Sequence, residues 1–222
     1  MSRVVMIGGT GAVGGETIGH LVQMGVERLT LFGRRPVEGL EGLDFVEQHL
    51  VDVLGESPYE GLIDEHDVAI CTLGVGEPSK VSKAQFIAID KDAVLTFARA
   101  CREAGVKHFQ LLSSVGVGSE SASFYLRTKG ELEDGLRDLG FERLSLFHPS
   151  MILTPTNRYG LSQAITLELW PILSKGMFGP LKKFRGIEVE KLGAAIAHNV
   201  REGSTGVEVL TWSDIEASSE MR

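Results

Sequence analysis

Tyr125 and Lys129 stand four residues apart in the run Tyr125-Leu126-Arg127-Thr128-Lys129. On a helix that spacing sets a phenol and an ammonium on one face, one turn apart. Such a phenol can give its proton to a developing alkoxide, and the neighbouring positive charge favours the anion left behind. Ser113-Ser114 adds hydroxyls that could hold a substrate oxygen. Near the start of the chain, Gly8-Gly9-Thr10-Gly11-Ala12-Val13-Gly14-Gly15 repeats glycine as GxxGxxG. Small residues there permit a tight turn, let the backbone approach a pyrophosphate, and let the following helix pack on its strand. The helix N-terminus then meets the phosphates with free N–H groups and the positive end of its dipole.

The second strand candidate ends in Thr30-Leu31-Phe32-Gly33-Arg34-Arg35. A site for NAD would place an acid here, about 20 residues past the glycines, to bind the ribose hydroxyls. Two guanidiniums stand there instead, and their planar forks suit a 2′-phosphate, so NADP(H) is the expected cofactor. Asp52, Thr72, Leu73 and Gly74 fall at the carboxyl ends of the third and fourth strand candidates, where an open α/β sheet binds its ligand. Asp52 either accepts from the adenine amino group or simply closes a turn. Leu73-Gly74 either lets the chain pass close to the adenosine ribose or is a turn in its own right.

These residues need a frame that brings them to one edge. Short apolar runs at Val4–Ile7, Leu29–Phe32, Phe45–Val51, Val68–Leu73, Phe109–Leu112, Leu144–Phe147 and Val207–Thr211 predict strands. Helical periodicity predicts helices over Val13–Met24, Ala84–Ala104, Tyr125–Leu139, Leu161–Ser174 and Val189–Arg201. Several strands are continuously apolar, as expected when helices cover both faces of a parallel sheet. The alternation implies an α/β fold, a doubly wound parallel (Rossmann) sheet of about seven strands. Gly25, Gly105 and Gly140 follow three of the helices as stops. No internal repeat or linker divides residues 1–222, which are read as one domain. Between 154 and 186 the pattern loosens around Pro155, Pro171 and Pro180, predicting a small C-terminal substrate cap. The polar tail from Ser213 is expected to fray.

Composition narrows the function classes. The 222 residues carry 22 Lys+Arg against 30 Asp+Glu, a net charge of −8, which argues against nucleic acid as a partner. No run is long enough to span a bilayer. No basic leader precedes a long apolar stretch, so a cytoplasmic location is expected. Cys71 and Cys101 lie in apolar segments and read as buried, reduced thiols. His20, His49, His66, His108, His148 and His198 lack metal-ligand spacing, so no metal is expected and structural or solvent-facing roles are assigned to them.

Taken in this order, the motifs resemble those of atypical short-chain dehydrogenase/reductases, and among them the HIV Tat-interacting oxidoreductase-like proteins. The resemblance rests on Gly8-Gly9-Thr10-Gly11, Leu31-Phe32-Gly33-Arg34-Arg35, Cys71-Thr72-Leu73-Gly74, Lys107-His108-Phe109 with Leu111-Leu112-Ser113-Ser114, and Tyr125 with Lys129-Gly130-Glu131. It covers roughly residues 1–155. It implies that Tyr125 is the general acid and that Lys129 binds the nicotinamide ribose. One of the two serines would contact the substrate oxygen, with Ser114 favoured. Pro149-Ser150-Met151-Ile152 resembles the segment that closes over the nicotinamide. Two departures stand out. His148-Pro149-Ser150 replaces the family's Arg-Pro-Gly, and the larger family's catalytic asparagine has only Asp90 as a weak counterpart. The expected function is NADPH-dependent hydride transfer to a carbonyl or similar small electrophile; the alternative is a non-catalytic NADPH sensor that signals to a protein partner.

Overall fold

The computed structural model describes residues 2–154, 178–201 and 203–220. Its centre is β1 (Arg3–Ile7), whose Val4 and Met6 enter one hydrophobic core while Val5 and Ile7 enter another. Both faces are buried, which is why the strand reads as an unbroken apolar run. From β1 the chain winds outward through β2 (Arg28–Gly33) and β3 (Val46–Leu50). It then crosses to β4 (Val68–Cys71), β5 (His108–Leu112) and β6 (Arg143–Phe147). With β9 (Gly206–Leu210) these strands form a seven-stranded sheet in the order β3-β2-β1-β4-β5-β6-β9, parallel throughout. The winding reverses between β1 and β4, so the carboxyl ends of those two strands open a crevice.

Helices α1 (Ala12–Met24) and α5 (Val189–His198) cover one face, and α3 (Ala93–Glu103) and α4 (Phe124–Asp138) the other. The α1–α5 contact is close: a Cβ added at Gly193 would lie 2.5 Å from the Cβ of Glu16. Gly25, Gly105 and Gly140 take the left-handed conformation where the helices stop. The expected fold class and all seven expected strands are therefore present.

The helix expected over Ala84–Ala104 is not uniform. A capping box of Ser82 and Gln85 starts α2 (Lys83–Ile87), a π turn spans Ala88–Asp92, and α3 comes next. The tail is also corrected. Instead of fraying from Ser213 it forms α6 (Trp212–Ser219), opened by a capping box of Thr211 and Asp214. Ile215 is fully buried, and the Trp212 indole N–H donates to the Gly186 carbonyl at 3.0 Å. Two short strands, β7 (Met151–Leu153) and β8 (Gly186–Glu188), pair in parallel and are too brief to leave a periodic signal. The predicted helix at Leu161–Ser174 and most of the predicted cap lie outside the described residues. Within 178–186, a 3₁₀ helix (Gly179–Phe184) leads into β8.

Candidate functional site

The glycine turn after β1 is built for close approach. Gly8 has φ +88°, and a Cβ there would lie 2.5 Å from the Leu73 nitrogen; one at Gly14 would lie 2.2 Å from the Gly8 carbonyl oxygen. Side chains at either position would force β4 and α1 off the turn. Gly11 is the N-cap of α1, with no side-chain cap and no acid in the first turn. The first N–H groups and the positive helix end are thus left for an anion.

Two grooves meet at Leu73 on either side of this turn. The first, about 400 Å³, is lined by Gly8 and Thr10 of the turn, by Arg34 and Arg35 beyond β2, and by His49, Leu50 and Val53 around the end of β3. Gln48 pins the loop after β2. Its side-chain oxygen accepts from the Val37 N–H at 2.8 Å, and its amide donates to the Val37 carbonyl at 3.1 Å. Both arginines are exposed, and neither has an acidic partner among the described residues. Asp52 is not part of the lining. Its carboxylate accepts from the Leu54 N–H at 3.1 Å and closes its own turn, while the neighbouring Val53 lines the groove.

The second groove, about 350 Å³, holds Gly11, Ala12, Val13 and Gly14 together with Thr72, Leu73, Gly74, Ser113, Tyr125, Lys129, Ser150 and Ile152. Ser113, rather than the half-buried Ser114, is among its lining residues. Pro149 contributes backbone: its carbonyl accepts from the Val115 N–H at 3.0 Å, extending the β5–β6 register past the strand ends. Gly130 lets the segment after Ser114 lie against α4, since a Cβ there would come within 2.2 Å of the Gly118 backbone. Tyr125 is half-buried, with its ring 5.5 Å from that of Phe86.

Two buried charge clusters complete the floor. Lys129 Nζ lies 2.9 Å from Asp90 Oδ1, with only 5% and 3% of the two side chains exposed. Burial opposes the Lys129 charge, but Asp90 outweighs it and holds the ammonium above its ordinary pKa. Beyond Ser113, the Oγ–H donates to Glu133 Oε1 at 2.5 Å. His148 Nε2 reaches the same oxygen at 2.7 Å, and Arg137 pairs with Oε2 at 3.2 Å. Burial pushes Glu133 upward, yet the hydrogen bonds from His148 and Ser113 and the charge of Arg137 hold it below the usual carboxylate range. Glu133, Gln48 and Phe86 were not singled out in the sequence. No local signal marks Glu133, which meets His148 from α4 only through the fold. Burial raises Cys71 to about 12 and Cys101 well above its ordinary value, both as free thiols.

Comparison with known proteins agrees with this geometry. A family model described as NAD(P)H-binding matches residues 8–143. Protein HTATIP2 of Rattus norvegicus is 34% identical over 152 residues, 68% of this chain and 62% of that protein. A mitochondrial fmp52 protein of Emericella nidulans is 30% identical over 157 residues, 68% of this chain and 67% of the relative. The chain thus spans about two thirds of the length of these relatives. Among solved structures, MoeE5 in complex with UDP-glucuronic acid and NAD superposes with a TM-score of 0.72 at 16% identity, covering 94% of this chain and 75% of that one. WbmH of Bordetella bronchiseptica in complex with NAD+ gives 0.70 at 16%, covering 95% and 75%. At that identity the likeness is one of fold. The fungal relatives are mitochondrial by name, and this overturns the cytoplasmic location expected from the N-terminal residues. By family model and relatives, the chain belongs to the NAD(P)H-binding family.

Proposed function

We propose that the protein is an NADPH-dependent oxidoreductase that reduces a carbonyl or a similar small electrophile. The observation that carries this reading is that Tyr125, Lys129 and Ser113 line the same groove as the first turn of α1. A phenol and an ammonium are thereby aimed at the space a dinucleotide on that turn would enter. The glycine turn accepts the pyrophosphate, Arg34 and Arg35 the 2′-phosphate, and Ser150 with Ile152 borders the nicotinamide end. The bound cofactor supplies the hydride. Tyr125 donates its proton to the substrate oxygen, and Lys129 holds the ribose and stabilises the resulting phenolate. A serine hydroxyl, Ser114 or Ser113, steadies the oxygen. The substrate is a small molecule, since the net charge of −8 disfavours nucleic acid.

A screen of carbonyl and quinone substrates, following NADPH absorbance with cofactor binding measured in parallel, tests this. Tyr125→Phe removes only a hydroxyl, so turnover should fall roughly 10²–10⁴-fold while NADPH affinity and Tm hold. An equally active variant removes Tyr125 from the mechanism. Tight NADPH binding with no turnover across the screen replaces the enzyme reading by the sensor.

A further inference from the structure

Asp90 is held from both of its oxygens. Oδ1 faces Lys129 Nζ at 2.9 Å and Oδ2 accepts from the Val75 N–H at 2.8 Å. It comes from the π turn Ala88–Asp92, the one break in the long helix between Ser82 and Glu103. Asp90 and Lys129 both border the second groove and are almost fully buried. The loop after β4 passes close over the pair: a Cβ at Gly74 would lie 3.0 Å from Asp90 Oδ1 and 3.8 Å from Lys129 Nζ. A lysine that only had to bind ribose hydroxyls would need no buried carboxylate, and burying one is costly unless it is paired.

We infer that Asp90 is a positioning residue that fixes Lys129 and cancels much of its charge at the cofactor and at Tyr125. The inference rests on the reductase reading for its consequence at Tyr125. With the pair neutral overall, Lys129 directs hydrogen bonds into the groove without flooding it with positive potential. The phenolate left on Tyr125 after proton delivery is then stabilised less than a lone ammonium would stabilise it. Among the described residues, other titratable groups around the pair are few. Tyr125 lies one turn away on α4, and Cys71 ends β4; both couple electrostatically to Lys129. Lys91 of the same π turn is engaged outward with Glu131 at 2.9 Å.

The test is Asp90→Asn, which keeps size and an acceptor while removing the charge. NADPH affinity, read by titration calorimetry, should rise about five- to tenfold as the uncompensated ammonium faces the anionic dinucleotide. The rise of alcohol-oxidation rate with pH should move about one unit lower, because the full Lys129 charge now favours loss of the Tyr125 proton. Unchanged or weaker affinity together with an unmoved pH profile overturns the inference, and leaves the reductase reading intact if the native protein turns over. Tighter NADPH binding by Asp90→Asn in a protein that reduces no substrate supports the charge cancellation and sinks the reductase reading instead. Should Asp90→Asn fail to fold, stability decides. Lys129→Met strands a buried carboxylate, so Lys129→Met with Asp90→Asn must be more stable than Lys129→Met alone. The opposite order overturns the pairing.

Discussion

Buried charge collects at both ends of the parallel sheet, and the two ends use it differently. At the amino end, Arg143 opens β6 with its guanidinium against Glu208 of β9, 2.7 Å away, and against the Asn199 carbonyl at 3.0 Å. Asn199 in turn donates to Gln110 at 3.1 Å. Ser145 gives its proton to Glu208 and therefore accepts from His108, 2.8 Å away. None of Arg143, Asn199, Ser145 or His108 borders either groove. At the carboxyl end, Lys129–Asp90 and Ser113–Glu133–His148 are equally buried, but Lys129, Asp90 and Ser113 each look onto open space. A polar cluster enclosed by strands and helices, with no cavity beside it, can only staple strands together. One with an open flank can bind and react. Burial is thus a poor guide to function by itself; the decisive property is whether bonding capacity is left facing a cavity.

The sharpest way to break this contrast is at Arg143. Arg143→Met leaves the partly exposed Glu208 and the buried Asn199 without their cation, and leaving buried polar groups unsatisfied costs roughly 1–3 kcal/mol. Urea denaturation should register that loss, while NADPH affinity per folded molecule stays as it was. A variant of native stability that binds NADPH tenfold more weakly would merge the two ends into one site. A smaller effect comes with pH. Burial, first of all, lowers His108 to about 3 and His66 to about 4 from 6.5. Both are neutral in the fold and protonated in the unfolded chain between pH 6.5 and 5, so the unfolded state binds more protons and stability must fall as pH drops through that window. Each contributes a slope approaching about 1.4 kcal/mol per unit, and His108→Gln should remove one share of it. An unaltered slope in that variant would mean that His108 is not held neutral. The least drastic effect belongs to the groove. Arg34→Ala should weaken NADPH about tenfold through the loss of one charge-assisted contact, with NADH affinity and Tm nearly unmoved. Equal losses for both cofactors would take Arg34 off the 2′-phosphate.

The sequence carried the surroundings of the glycine turn more fully than the cluster of Ser113, Glu133 and His148, for a physical reason. Glycine spacing, the arginine pair and the strand ends act through backbone and local order, so Gly8, Gly14, Arg34 and Leu73 were readable from neighbours in the chain. Ser113, Glu133 and His148 meet from β5, α4 and the end of β6, and no short-range pattern records that convergence. Asp90 was visible as a residue but not as a partner, because helical periodicity assumes a regular turn where a π turn is present. The α6 tail differs from its reading for a related reason: its polar composition hid the Thr211–Asp214 box and the inward Ile215. Asp52 was open to two readings, and its carboxylate serves its own turn through the Leu54 N–H.

The π turn also bears on how such proteins diverge. A wide turn holds one residue more than the α-helix it interrupts, so losing a single residue between Ser82 and Asp90 would restore regular winding. It would also shift Asp90, which lies inside the turn, out of its present place beside Lys129, while α3 beyond the turn kept its facing. The aspartate would still be present in the chain and would no longer meet Lys129. At this site a change in length therefore does what a change of letter does elsewhere, and two relatives that both keep the aspartate can differ in charge balance by one deletion.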